Sequence, residues 1–134
     1  MFSVECSQRA LQEYFTGRLT ETINEYKCNI CTISTAYRTR IIEFWPSILI
    51  VNLKRYEKGS KIFTTINNQD IQSLEYQLLC YVKHDGDTVQ SGHYRTIELR
   101  SNESVVYDDK VVTFAQTNCF DDAYILVYKR RKMN

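Results

Sequence analysis

The alternation of apolar and polar residues along this chain predicts a fold built mainly from β-strands. Runs of this kind cover residues 33–44, 47–56, 74–83, 94–100, 105–107, 111–114 and 123–128, with a weaker candidate at 62–66. The 47–56 run is nearly continuous in apolar residues, which is typical of a central strand covered on both faces. Lys54 and Arg55 are expected to mark its exit to solvent. The 123–128 run is expected to close the sheet.

One helix is predicted, over residues 3–19. Ser3 is a suitable N-cap, and Gly17 is a suitable stop. Five apolar residues share roughly one face of this helix: Val4, Ala10, Leu11, Tyr14 and Phe15. We expect that face to pack on the sheet, with Cys6 on the same helix as a small buried hydrophobe.

The length and composition of the chain, together with the one predicted helix, indicate a single domain of the α+β fold class. The chain has 134 residues, 43% of them hydrophobic, and its ten Tyr and six Phe favour a sheet-rich fold. A net charge of +1 predicts no nucleic-acid partner and no membrane partner. The first residues lack the features of a signal peptide, and five cysteines is an odd number. We therefore expect reduced thiols and an intracellular location, in the cytoplasm or the nucleus.

The candidate chemistry centres on a polar stretch from His84 to Tyr94, predicted to be a loop between two strands. His93 stands at the start of one predicted strand, and Asp108 stands at a bend that ends the next. Residues in these positions can meet across a sheet. A carboxylate that orients an imidazole, which in turn activates a nucleophile, is the orienting half of a catalytic triad.

A second candidate is the Cys28-x-x-Cys31 knuckle, a turn that points two sulfur atoms at one metal ion. Structural zinc needs four ligands, and this sequence has no second Cys-x-x-Cys pair. We therefore expect a degenerate half-site and no required cofactor. Zinc would bind only if a second cysteine pair came from outside this chain. Cys80 and Cys119 are isolated in sequence and are interpreted as structural.

The order of these landmarks resembles the C-terminal half of the catalytic domain of ubiquitin-specific proteases (USPs), over about Val4 to Arg130. The matching motifs are Tyr26-x-Cys28-x-x-Cys31, the segment from Pro46 to Tyr56, His84-x-Gly86, Gly92-His93-Tyr94, Tyr107-Asp108-Asp109 and the segment from Ala123 to Tyr128. The resemblance implies a partial papain-like cysteine protease fold with palm and part of the fingers but no thumb. Residues 1–45 would form a fingers-related helix and ribbon, 46–130 the palm, and 131–134 a basic tail.

The resemblance also implies roles for individual residues. His93 matches the general base and Asp108 the acid that orients it, while Cys28 and Cys31 match the second knuckle of the zinc ribbon in the fingers. Six residues are implied to contact the ubiquitin tail, on a blocking loop and in a narrow channel: His84, Asp85, Gly86, Ser91, Gly92 and Tyr94. The implied partner is ubiquitin or a ubiquitin-conjugated protein, and the implied activity is a deubiquitinating thiol hydrolase.

The sequence departs from the family in what it lacks. No segment resembles the box that carries the nucleophilic cysteine, and the polar residue of the oxyanion hole and the first zinc knuckle are missing too. We therefore expect this chain alone to be inactive. Two alternatives remain open: a catalytically inactive module that binds ubiquitin or a partner, and an interaction fragment whose exposed sheet edge pairs with another protein.

Overall fold

The computed structural model describes residues 1–32, 34–66, 75–115 and 122–132. Within these ranges lie one helix and eleven strands: β1 (Phe2–Glu5), α1 (Gln8–Phe15), β2 (Arg18–Asn24), β3 (Thr35–Ile41), β4 (Ile48–Lys54), β5 (Tyr56–Glu57), β6 (Ser60–Lys61), β7 (Tyr76–Thr88), β8 (Ser91–Leu99), β9 (Ser104–Asp108), β10 (Val111–Ala115) and β11 (Ala123–Arg130). The predicted sheet-rich α+β class is confirmed. None of the described helices is long and apolar enough to cross a membrane.

Seven strands form the main sheet, in the order β1-β4-β11-β7-β8-β9-β10. The β1–β4 pair is parallel, and the other pairs in this sheet are antiparallel. Strand β11 lies between β4 and β7, where Leu126 pairs with Val51 on one side and Tyr81 on the other. The last strand is therefore central and does not close the sheet, because the chain returns to the middle after building the β8–β10 side.

Strand β4 is central, as predicted, but only one of its faces is covered within the described chain. Leu49, Val51 and Leu53 are buried, whereas Ile48 and Ile50 are 47% and 38% exposed. Alternate residues of a strand point to opposite faces, and the single helix packs on one of them. The prediction of a strand covered on both faces is thus wrong for this chain.

Arg55 does not mark an exit to solvent: its side chain is fully buried. Its Nε donates to the Ala123 carbonyl, and one terminal nitrogen donates to the carbonyls of Ile62 (2.9 Å) and Thr64 (3.0 Å). These bonds hold residues 62–66 as irregular chain against the sheet, so the predicted strand there is not formed. A guanidinium, with five donors in a fixed fork, can satisfy several carbonyls at once.

The helix is shorter than predicted, because its first predicted residues join the sheet. Val4 lies in β1 and pairs with Leu53, and Cys6 is buried ahead of the helix. Ser7 is the N-cap, in extended conformation, and its side chain accepts a hydrogen bond from the Ala10 amide at 3.1 Å. Strand pairing outweighs the helical propensity of residues 3–6.

Aromatic rings join α1 to the sheet. Phe15 packs against Tyr128 with ring centroids 5.1 Å apart, and Tyr14 lies 6.2 Å from Trp45. Gly17 ends the helix region with φ +76°, and a Cβ there would lie 3.2 Å from the Trp45 ring. The helix therefore packs with the seven-stranded sheet.

Strands β2 and β3 form a separate two-stranded ribbon that is largely exposed. Arg38 donates two hydrogen bonds to Glu21 at 3.1 and 2.9 Å, and Arg40 donates a third at 2.6 Å. The alternation in 33–44 thus forms a strand, but its predicted half-burial is wrong. Ile33 lies outside the described residues, as do the predicted turn at 67–68 and Cys119.

Candidate active site

The stretch predicted as a polar loop is mostly a β-hairpin. Strand β7 runs on to Thr88 and β8 begins at Ser91, so the turn contains only two residues, Val89 and Gln90. Asp85 pairs with His93, and a register shift lies between Asp85 and the Thr88–Ser91 pair. The predicted loop from Asp85 to Ser91 is therefore corrected to an irregular antiparallel hairpin.

The structure brings His93 and Asp108 together, as predicted from their positions at strand ends. Strands β8 and β9 pair with Thr96 opposite Tyr107, which places the end of β9 beside the start of β8. Asp109 then turns the chain with φ +51°, a conformation that aspartate tolerates better than most residues. His93 Nε2 donates a hydrogen bond to Asp108 Oδ1. The two side chains are 47% and 36% exposed.

This contact fixes which imidazole nitrogen remains for chemistry. Because Asp108 takes Nε2, the nitrogen that can meet a thiol is Nδ1. The hydrogen bond and the charge of Asp108 raise the pKa of His93 above its ordinary value, since both stabilise the imidazolium. The pair can therefore hold a proton taken from a thiol and release it to a leaving amine.

Sequence reasoning missed Arg95, which lies two residues after His93 and so on the same face of β8. Its Nε donates to Asp85 Oδ2 at 2.7 Å and lies 3.9 Å from Asp108 Oδ2. Partial burial alone would raise the pKa of Asp85, but hydrogen bonds from Arg95 and Lys83 outweigh it and lower that pKa. The signal that could have found Arg95 is this two-residue spacing, together with the acidic residues on the neighbouring strands.

His84, predicted to contact substrate, is 1% exposed. Its Nδ1 is in contact with the Tyr56 hydroxyl, and its ring packs beside Tyr94 with centroids 4.5 Å apart. A Cβ on Gly92 would lie 2.5 Å from His84 Cε1 and 2.7 Å from the Asp85 carbonyl oxygen, so only glycine fits above this ring. The structure places His84 beneath the backbone that carries His93, where it supports that backbone and presents almost no surface to a ligand.

The other predicted substrate residues divide by exposure. Ser91, Gly92 and Tyr94 are exposed, with Tyr94 at 49%, beside His93. Gly86 is partly buried, and the Asp85 carboxylate is already bound to Arg95 and Lys83. Only the β8 members of the predicted set therefore offer an open surface next to the histidine.

Four cysteines lie in the described chain, and all four are free. Burial raises the pKa of the Cys6 thiol and of the Cys80 thiol. Cys80 pairs with Glu98, so by strand alternation it faces the side of the sheet opposite to His93. Neither thiol is placed to exchange a proton with His93.

Cys28 and Cys31 lie together beyond the end of the ribbon strand β2. The backbone amides of Ile30 and Cys31 donate to Cys28 Sγ at 3.5 and 3.4 Å. Hydrogen bonds from these amides and from the Cys31 side chain lower the pKa of Cys28, because they stabilise its thiolate. Among the described residues, no third His, Cys, Asp or Glu joins this pair to form a ligand cluster.

Comparison with protein families gives one match that covers most of the chain: the model of the family described as ubiquitin carboxyl-terminal hydrolase matches residues 3–128. Ubiquitin carboxyl-terminal hydrolase 25 of Arabidopsis thaliana is 30% identical in an alignment 103 residues long, which covers 65% of this chain and 16% of the relative. The probable ubiquitin carboxyl-terminal hydrolase 8 of Schizosaccharomyces pombe is 21% identical over 98% of this chain and 32% of the relative. The chain thus spans a third or less of these relatives.

Solved structures share the fold. A structure of the yeast SAGA DUB module superposes with a TM-score of 0.71 at 22% identity, covering 99% of this chain and 35% of the other. A SAGA DUB module bound to monoubiquitin superposes with a TM-score of 0.67, also at 22% identity, with the same coverage of both chains. At this level of identity the likeness establishes the architecture.

Proposed function

Because the chain belongs to the ubiquitin carboxyl-terminal hydrolase family, we propose that it supplies the base and the orienting acid of a thiol hydrolase that cleaves ubiquitin conjugates. The observation that carries the proposal is the contact between His93 Nε2 and Asp108 Oδ1 at adjoining strand ends. The relative bound to monoubiquitin supports ubiquitin as the partner. The chain spans a third or less of these relatives' length, and we propose that the complete activity also uses residues outside these 134.

In the proposed reaction, His93 Nδ1 takes the proton of a cysteine thiol while Asp108 holds the ring. The thiolate attacks the carbonyl carbon at the end of the ubiquitin tail, and the imidazolium gives its proton to the departing amine. Water then hydrolyses the thioester and regenerates the thiol. A diglycine tail would lie along β8 beside His93, where Gly92 is exposed and the Tyr94 ring is half exposed.

We further propose that the nucleophilic thiol comes from outside this chain. Cys6 and Cys80 have raised pKa values because they are buried, and Cys28 and Cys31 lie in the knuckle beyond β2. A reactive thiol needs the opposite environment, exposed and electropositive. The knuckle could hold zinc with a second cysteine pair supplied from elsewhere, because two sulfur ligands are half of what a structural zinc ion requires.

A second candidate function is binding of ubiquitin or a partner without cleavage. The placement of the cysteines favours this second function, because none of the described cysteines is placed to react with His93. The retained His93–Asp108 contact favours the hydrolase, because a binding surface has no chemical use for an oriented imidazole.

The test uses two ubiquitin reagents on the 134-residue chain. The first carries a thiol-reactive group at its C-terminus, and intact mass reports an adduct. We expect none, and an adduct that disappears in His93→Ala would show that the nucleophile lies within this chain.

The second reagent is ubiquitin itself, and its binding is followed by NMR of the isotope-labelled 134-residue chain. We expect the amides of Gly92 and Tyr94 to shift, and not to shift with ubiquitin lacking its terminal diglycine. Absence of any shift would contradict both proposed functions.

A further inference from the structure

The carboxylate that orients His93 has two oxygen atoms, and they have different neighbours. Oδ1 of Asp108 accepts the imidazole hydrogen bond, and Oδ2 faces Arg95 Nε at 3.9 Å. A carboxylate rotates about its last bond over a broad, shallow range. One hydrogen bond to an exposed imidazole leaves much of that rotation free, whereas the charge of a fixed guanidinium 3.9 Å from the other oxygen favours one orientation.

Arg95 is itself held in place. Its Nε and one terminal nitrogen both donate to Asp85 Oδ2. Asp85 also pairs with Lys83 at 3.1 Å, and Lys83 pairs with Asp122 at 3.4 Å. Charges of alternating sign thus run from the hairpin towards the body of the protein.

The inner end of this series is anchored. Asp122 pairs with Lys61 at 2.7 Å, and the Lys61 side chain is only 3% exposed. Lys61 also donates to the carbonyl of His84 at 2.7 Å, which ties the series to the β7 backbone next to Asp85. A network of this kind orders its members more firmly than an isolated surface pair does.

We propose that Arg95 is a positioning residue: it holds the Asp108 carboxylate in the orientation that presents His93 Nδ1 to a thiol, and it couples that orientation to the β7–β8 hairpin. The role of Arg95 in catalysis rests on the proposed hydrolase function. The orientation of the Asp108 carboxylate by Arg95 does not, because it depends on contacts within this chain alone.

The experiment follows the ring signals of histidine by NMR as pH is raised. The chain has only two histidines, so His93→Ala assigns both signals. The charged groups around His93 are Asp108, Asp109 and Arg95, together with Asp85, its pairing partner on β7. Among the first three, the hydrogen bond that His93 donates to Asp108 has the largest effect on the pKa of His93, and the charge of Arg95 has the smallest.

Arg95→Met therefore separates positioning from simple charge. If Arg95 positions Asp108, its loss weakens the hydrogen bond, and the pKa of His93 moves down towards its ordinary value of about 6.5. If Arg95 acts only as a nearby positive charge, the same variant raises the pKa. We expect the fall. A rise, or no change, overturns the proposal.

Arg95→Lys is the second variant, for use also if Arg95→Met does not fold. It keeps the charge but loses the two donors to Asp85 Oδ2 that fix the guanidinium beside Asp108. We expect a smaller fall in the pKa of His93, and a pKa equal to that of the unmodified chain overturns the proposal. Arg100→Met is the matched control, because Arg100 pairs with Glu98 and should leave His93 unchanged.

The readout needs neither thiol nor ubiquitin. If ubiquitin does not bind but the pKa of His93 falls in Arg95→Met, the hydrolase function is rejected and the positioning role of Arg95 is kept. If ubiquitin binds but the pKa of His93 does not change in Arg95→Met, the positioning role is rejected and the proposed function is kept.

Discussion

Strands β3 and β4 are equally long and lie in opposite environments. Each places apolar residues at alternate positions along one face of a seven-residue strand, and β4 has further apolar residues, Ile48 and Ile50, on its other face. In β4 the alternate residues Leu49, Val51 and Leu53 are buried, but in β3 Tyr37 and Ile41 are 75% and 67% exposed. The difference is the surroundings: β4 lies between two strands with a helix over one face, and β3 has a single neighbour. Alternation predicts a strand, and a covering layer decides its burial.

The arginines of the two regions show the same contrast. Arg55 is buried and donates to three carbonyl oxygens, whereas Arg38 lies on the exposed ribbon and pairs with Glu21. When a buried donor is removed, its acceptors are left without a hydrogen-bond partner, because water does not reach them. When one member of a surface pair is removed, water readily takes its place. A hydrogen bond made by Arg55 therefore contributes more to stability than one made by Arg38.

The largest change in the free energy of unfolding is expected when a cavity is made beneath β4. Leu53→Ala removes a fully buried side chain and should lower the free energy of unfolding by about 4 kcal/mol, from lost burial and the cavity left behind. Ile41→Ala, its counterpart on the ribbon, should change it by less than about 0.5 kcal/mol. Urea unfolding followed by circular dichroism measures both. Similar losses in the two variants would show that the ribbon is covered in solution.

A smaller effect is expected at Arg55. Arg55→Met keeps much of the side-chain volume but removes the donors to Ala123, Ile62 and Thr64, and should cost about 3 kcal/mol of stability. The matched variant on the ribbon, Arg38→Met, should leave the unfolding midpoint unchanged. An Arg55→Met protein as stable as the original would mean that residues 62–66 rearrange to satisfy their carbonyls.

The smallest effect concerns acid pH and the ribbon. Hydrogen bonds from Arg38 and Arg40 lower the pKa of Glu21 from 4.5 to about 2. A carboxyl whose pKa is depressed by folding stabilises the folded state above its unfolded pKa, and that contribution is lost as pH falls through the folded value. The protection factors of amides in β2 and β3, which correct exchange rates for their intrinsic dependence on pH, should therefore fall between about pH 4.5 and 2.

The control for this prediction is Arg38→Met, in which Glu21 keeps one guanidinium partner. The pKa of Glu21 should then rise, and the protection factors in the ribbon should begin to fall at a higher pH. Protection factors in β4 that begin to fall at the same pH would contradict the comparison, because the main sheet does not depend on this pair.

Much of the fold could be predicted from local pattern. Strand runs near 48–54, 76–83 and 123–130 appear close to where alternation put them, and His93 meets Asp108 as their strand-end positions indicated. The errors came where a distant partner decided the outcome. Val4 joined a strand because β4 offered it an edge, and the polar stretch after His84 formed a hairpin because the two strands continue to pair.

The sequence by itself determined the class of fold, the histidine and aspartate pair, and the family resemblance, because each depends on residue type and order along the chain. Only the tertiary structure decided that Arg55 and His84 are buried, that β11 is central, and that Arg95 stands between Asp85 and Asp108. These facts depend on which strands become neighbours. That choice is a property of the whole sheet, since burial and ion pairing arise between residues far apart in sequence.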